Sequence, residues 1–218
     1  MVKKATTEVI EIRPIQIKKA TVHIVGDTPL IMHAWSEKAK REMLEKQMKV
    51  TKTKSRDAKN PDEDFIRSMY WLSPMPEEMT MEAFDEAIAN GARFGFPITA
   101  FKQAAISAAY RMGWAKDKMS MRGAFFIDGD ENQMLEIKSD APIMREDMVK
   151  VGMGTADIRY RGEFRNWSAD INISFNENGQ YSLEQIINII NAGGYVCGVG
   201  EWRPERDGQY GMFHVTAT

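Results

Sequence analysis

Arg145, Arg159, Arg161, Arg165, Arg203 and Arg206 fall in the C-terminal third of the sequence, with the flat rings of Tyr160, Trp167, Trp202 and Tyr210 interleaved among them. A guanidinium fork binds phosphate bidentately and stacks on bases, and aromatic rings stack on bases of any sequence, so this mix carries the chemistry of a nucleic-acid surface. Arg159 and Arg161 stand two apart, which on a strand puts both side chains on one face. The competing structural role is an ion-pair lattice with Glu146, Asp147, Asp157 and Glu163, which lie close by in sequence. Trp202, Arg203, Arg206 and Tyr210 also sit in a glycine-dense segment, where six of the sixteen glycines fall within the nineteen residues from Gly193 to Gly211. Glycine permits positive φ and close backbone approach at a cost in chain entropy, so Gly198, Gly200, Gly208 and Gly211 read as a loop shaped to hold a ligand. A long turn region with ordinary surface arginines is the plainer alternative.

Net charge is only −2 over 218 residues, so this is no generic polycation. The charge is segregated instead. From Lys49 to Lys59 five basic residues, including Lys52, Lys54 and Arg56, face one acid, Asp57, and from Arg111 to Arg122 four face Asp117. Acids collect at 62–64, 77–78 and 128–131. Such a distribution predicts a basic and an acidic face, with local charge deciding the partner. The candidate strand-binding residues are therefore Lys52, Lys54, Arg56, Arg122, Arg159, Arg161, Arg165, Trp202, Arg203, Arg206 and Tyr210.

Catalytic and metal chemistry finds no comparable constellation. Of the histidines His23, His33 and His214, none pairs with another at metal-ligand spacing, and His23 and His214 fall in predicted strands. The segment from Asp128 to Ser139 resembles a calcium loop only in its first residues, since Gln133 and Ser139 occupy the positions that need glycine and glutamate. Gly152-Met-Gly154 lacks the third glycine of a dinucleotide fingerprint, and no phosphate loop is present. The expectation is a non-enzymatic protein without cofactor or metal. Composition is that of a soluble globular chain, 43% hydrophobic and 28% charged. No apolar run approaches the roughly 18 residues of a membrane span, and the N-terminus lacks a signal-peptide core. The lone Cys197, beside Val196 and Val199, reads as a buried thiol in a reducing cytoplasm.

The elements that must position these residues follow from periodicity and end signals. Residues 17–25 read as a strand and 36–49 as a helix capped by Ser36, with Ala39, Met43 and Met48 inward. Short helices are predicted at 62–72 and 80–90. Pro97 opens a helix to about Met112 whose Ile98, Phe101, Ala105 and Ala108 recur at three and four residues. Residues 124–127 and 134–138 read as a hairpin, and 157–165 with 167–175 as a second strand pair, the latter with Ala169, Ile171, Ile173 and Phe175 inward. Ser182 and Gln185 form a capping-box pattern for a helix ending at Asn191-Ala-Gly193-Gly194, and Met212 to Val215 closes the chain as a strand. With the insertion at 36–96 set aside, the order is β-α-β-β-α-β. The expected class is α+β, one domain over 1–218, with a modified ferredoxin-like core, a helical insertion and an extra β-hairpin.

Two segments resemble the RAMP superfamily, the RNA-recognition-like proteins of CRISPR effector complexes. Thr21-Val-His-Ile-Val-Gly-Asp-Thr28-Pro29-Leu30 is similar to its first strand and Thr-Pro-Leu turn, and the segment Gly198 to Gly211 to its glycine-rich loop. The nearest likeness is to the backbone subunits that coat guide RNA; with Gly152-Met-Gly-Thr-Ala-Asp-Ile-Arg159-Tyr-Arg161-Gly included, the segments also look like bacteriophage proteins. The loop departs from the family in carrying Glu201 and Pro204-Glu205. The resemblance implies a partner of single-stranded RNA or DNA and a homo-oligomer or helical filament along it, with no membrane. Its settings are phage replication and recombination or a CRISPR-like complex. The alternative is a phage structural or assembly protein whose charged faces join subunits.

Overall fold

The computed structural model describes residues 14–35, 37–49, 58–151 and 154–216. Among them the order is β1 (Ile17–Gly26), β2 (Leu30–Met32), α1 (Glu37–Gln47), α2 (Pro61–Arg67), β3 (Tyr70–Trp71), α3 (Met81–Ala89), β4 (Phe94–Pro97), α4 (Ile98–Arg111) and α5 (Lys118–Arg122). Then come β5 (Phe125–Asp128), β6 (Met134–Ile137), β7 (Ile143–Val151), β8 (Thr155–Phe164), β9 (Ser168–Asn176), α6 (Leu183–Val196), a single 3-10 turn Pro204–Arg206, and β10 (Phe213–Val215).

Alternation builds the main sheet. Ala169, Ile171, Ile173 and Phe175 of β9 are buried, as are Val22 and Ile24 of β1 opposite them. The sheet order is β10-β1-β9-β5 with every neighbour antiparallel. Taken with α4 and α6, this is β-α-β-β-α-β with the last strand beside the first and the third beside it on the other side. That is the ferredoxin-like α+β core expected from the element order. Pro97 precedes the first turn of α4, and the Ser182–Gln185 capping box opens α6. Ile98, Phe101, Ala105 and Ala108 of α4 and Ile186, Ile189 and Ile190 of α6 fill the core above the sheet.

Two pairings differ from the expectation. β5 and β6 are consecutive but belong to different sheets, β5 beside β9 and β6 beside β4 in a sheet ordered β3-β4-β6. The turn at Asp130 does close, its amide donating to the Met134 carbonyl and its carboxylate accepting from the Met134 amide. Each strand nevertheless has its own apolar residues to cover, Phe125 and Ile127 on one and Leu135 and Ile137 on the other. Likewise β8 pairs with β7 and β2, not with β9. Asn166, at φ 48°, redirects the chain between β8 and β9. The extra hairpin is thus β7–β8, and β7 escaped notice because Arg145, Glu146, Asp147 and Lys150 mask its alternation. The short helix α2 stops at Arg67, since Tyr70 and Trp71 pair with Gly95 and Phe94. Met43 of α1 and Met48 just past its end are exposed rather than inward, and Ser36 lies outside the described residues.

The end of α6 is the clearest correction. Gly193 and Gly194 do not stop the helix, which runs on to Val196. A Cβ on Gly193 would lie 2.8 Å from the backbone nitrogen of Ala105 on α4, and one on Gly194 would collide with the Phe213 carbonyl of β10. The glycines let α6 touch α4 and the edge strand at once. In an ordinary helix interior, Gly→Ala stabilises by about 1 kcal/mol. Here Gly194→Ala is expected to destabilise by about 1–3 kcal/mol through overpacking. Urea denaturation reads the sign directly, and a stabilised variant would contradict this packing.

Candidate nucleic-acid interface

The second sheet, β2-β8-β7, carries the arginines. In β8 the side chains of Arg159, Arg161 and Glu163 share one face by alternation, and register sets Arg145 of β7 opposite Arg161 and Asp147 opposite Arg159. The glycine loop lies against this sheet, the Glu201 amide donating to the Ile31 carbonyl at 3.0 Å and the Gly211 amide to Pro29 at 2.8 Å. Gly200 shows why its residue type is required. Its φ is +81°, and a Cβ there would stand 2.6 Å from the Ile31 carbonyl oxygen. Gly198, Gly208 and Gly211 approach Pro204, the Trp202 carbonyl and the Val199 carbonyl in the same close manner. They serve the loop's own packing rather than an open cradle.

Loop and sheet are joined by charge. Arg161, 2% exposed, donates to Asp147 at 2.9 Å and reaches Glu201 at 3.4 Å. Arg145 donates to Asp147 at 2.8 Å, to Glu163 at 3.0 Å and to the Tyr210 hydroxyl at 3.1 Å, with its guanidinium 4.6 Å from the Tyr210 ring centre. Arg165 binds the other side of Glu163 at 2.8 Å. Burial raises the pKa of Asp147, but hydrogen bonds from Arg145, Arg161 and Trp202 outweigh it and hold the carboxyl below its usual range. Glu163 behaves the same way, with Arg165 and Arg145 overcoming its desolvation.

The ion-pair lattice is therefore real, built on Asp147, Asp157, Glu163, Glu201 and Glu205. Arg161 is internal to it. Arg159 is half-buried, 3.6 Å from Asp157 and 3.4 Å from His33. Arg203 is braced by Glu205 and the Gly200 carbonyl. Arg165, Arg206 and Trp202 are exposed, and Tyr210 is half-buried. Trp202 holds a positive φ of 53°, uncommon for a bulky residue and a mark of local constraint. Trp167, by contrast, is core, its indole donating to the Thr28 carbonyl. Arg122 is exposed at the end of α5, away from this sheet in sequence and element. Lys52, Lys54 and Arg56 lie outside the described residues.

Beside the lattice opens a cleft of about 160 Å³ that sequence reasoning did not anticipate. The rings of Tyr70 and Phe96, 5.6 Å apart and edge to face, form part of its lining. Ala100, Gln103 and Ala104 of α4, with Gly198 and Gly200, contribute as well. His33, Glu201, Arg203 and Glu205 supply its polar groups. Burial, then the Arg161 charge, lowers the pKa of His33, with Glu201 offsetting in part. The neutral ring meets Arg159 at Nε2, while its buried Nδ1 has no hydrogen-bond partner among the described residues. Tyr70 was hidden because its segment reads as helix; His33 was visible as a histidine three residues after Leu30 of the Thr-Pro-Leu turn. Among the described residues no group of three or more His, Cys, Asp or Glu is placed to hold a metal.

Neither a protein-family model nor a curated protein matches the chain. Among solved structures it is similar to the crystal structure of Cmr6 from Pyrococcus furiosus, at 9% identity and a TM-score of 0.42, over 93% of this chain and 100% of that one.

Two outcomes follow from the lattice. Arg161→Ala takes one of two arginine partners from the buried Asp147, which keeps Arg145, and one from the part-exposed Glu201, and is expected to destabilise by about 1–3 kcal/mol. The lowered carboxylates of Asp147 and Glu163 add stability that is complete above their ordinary values of 3.8 and 4.5. That contribution is lost as pH falls through the lower folded-state values. A melting series from pH 7 down to the acid limit should drop below about pH 4.5, and Asp147→Asn should flatten it.

Proposed function

We propose that this protein binds single-stranded nucleic acid, without catalysing a reaction, and that copies of it line up along the strand. One observation carries the reading: arginines and aromatic rings from β7, β8 and the glycine loop converge on a single face of the second sheet. The lattice does not remove these guanidinium groups from use. Each has five N–H donors, and a carboxylate behind the fork fixes its plane, so less freedom is lost when a phosphate arrives. Arg159, Arg165, Arg203 and Arg206 meet phosphates in this account, and Trp202 and Tyr210 stack on bases. Arg161 holds the surface together from within. The basic segment with Lys52, Lys54 and Arg56 adds positive charge for the strand in this account, while Arg122, on α5, stands apart from this face. The ferredoxin-like core and the RAMP resemblance of the Thr28-Pro29-Leu30 turn and glycine loop support the same assignment. Phage replication and recombination, or a CRISPR-like complex, in a bacterial cytoplasm is the setting that the resemblance implies.

A second reading has its own support. Met148 and Ile158 are a cross-strand pair on the β7–β8 hairpin, 78% and 41% exposed. Exposed apolar pairs of this kind suit subunit contacts in an assembly protein. Light scattering with and without an oligonucleotide separates the two, since a purely structural role gives assembly that needs no nucleic acid.

Fluorescence anisotropy with a single-stranded oligonucleotide tests the first reading. Binding is expected at about 50 mM salt and a steep loss by about 500 mM. Arg159→Ala should lower affinity roughly tenfold through a lost charge-assisted contact and reduce the salt slope by about 0.7, with little change in melting temperature. Arg161→Ala should do the reverse, melting early while leaving the slope of the folded fraction intact. Absence of binding at low salt, in both RNA and DNA, would overturn the reading.

A further inference from the structure

The cleft beside the glycine loop has a size and a chemistry that the phosphate-binding account does not use. At about 160 Å³ it is far below the few hundred Å³ of a drug-sized pocket. It is close to the roughly 150 Å³ that accepts one benzene-sized ring, room for the six-membered ring of a purine with the rest of the base lying outside the cleft. Its walls suit a flat ring: Tyr70 and Phe96 offer aromatic surface, while Ala100, Ala104, Gly198 and Gly200 project almost nothing. Its polar equipment is asymmetric. Arg203 is already engaged by Glu205 and the Gly200 carbonyl. Glu201 is different, since Oε2 faces Arg161 while Oε1 accepts no hydrogen bond among the described residues, and the side chain is 41% exposed.

We infer that this cleft receives a single guanine base. The inference rests on the proposed strand binding and names what one nucleotide of that strand does. A carboxylate only accepts, so Glu201 calls for donors. Guanine presents N1–H and the N2 amino group side by side on its Watson–Crick edge, a pair that a carboxylate takes bidentately. Adenine and cytosine set an acceptor nitrogen beside their amino group and would turn a lone pair toward the carboxylate. Uracil and thymine offer one N–H between two carbonyls. The loop's departure from its family pattern at Glu201 thereby becomes a base-reading feature, and neutral His33 keeps a second cation from competing for the carboxylate.

The test uses the full chain and nine-nucleotide oligouridines carrying guanine, inosine or adenine at the centre. Guanine is expected to bind about tenfold or more tightly than adenine, with inosine, which lacks the N2 amino group, between them. Ala100→Leu, which fills the cleft without altering charge, should abolish the difference while keeping the affinity for plain oligouridine. Glu201→Gln should abolish the difference as well, with its melting temperature read alongside because Glu201 also holds Arg161. Guanosine monophosphate and adenosine monophosphate, titrated separately by NMR, should shift the His33 and Tyr70 ring signals only with guanosine. Equal affinity for all oligomers, together with no shift from guanosine monophosphate, overturns the base site and leaves strand binding standing. A guanosine-specific shift without binding of any oligomer supports the base site and removes the strand reading. Failure of both removes both.

Discussion

Arg161 sits inside the protein with its guanidinium between Asp147 of the neighbouring strand and Glu201 of the glycine loop. A charge so placed is strongly unfavourable unless it is matched, and its partners come from two different elements, β7 and the glycine loop. Asp147 is shared with Arg145, which in turn holds Glu163 and Tyr210. One buried cation thereby ties the β7–β8 hairpin to the glycine loop, adding to the backbone bonds that the hairpin ladder and the loop already make. The loop's glycines answer to the same constraint, since Gly200 must pass against the Ile31 carbonyl for Glu201 to arrive at Arg161.

The ferredoxin-like core supplies the frame for that contact. Its sheet buries one face under α4 and α6, and α6 approaches α4 and β10 closely through Gly193 and Gly194. Directly after α6 come Cys197, buried and with its thiol pKa raised by desolvation, and then the loop. The position of the loop is therefore inherited from a helix packed at backbone distance. The cleft lies where α4, the end of β2, the β3–β4 pair and the loop meet. Its smallness reflects alanines and glycines chosen for packing, and its aromatic walls come from the insertion that carries β3 and β4.

The arginines divide by depth. Arg165 and Arg206 face solvent, Arg159 and Arg203 stand half-buried with a carboxylate behind each, and Arg161 is internal. Residues of one type, two apart on one strand face, thus take different roles because the loop covers one end of the hairpin and leaves the other open. The balance between lattice and ligand is one of geometry, with fixed guanidinium planes offering their outer donors.

Elements with strong local signals were legible from the sequence. The first strand, the Pro97 helix, the alternation of 169–175 and the Ser182 capping box all formed where periodicity and caps put them. Their order implied the β-α-β-β-α-β core, because few connections join such elements without crossing. Strand partners were not legible. Alternation marks a strand as half-buried but carries no label for its neighbour, so β5 and β6, and β8 and β9, were paired by adjacency and separated by the core. The glycine pair in α6 misled for a related reason: a helix-ending residue and a close-packing residue have the same side chain, and only the presence of Ala105 and Phe213 tells them apart. The sequence displayed the arginines and rings of the site, since their chemistry is intrinsic. Which arginine is buried, and that Tyr70, Phe96, His33 and Glu201 share a cleft, depends on contacts between residues far apart in the chain, and the tertiary structure alone decided it.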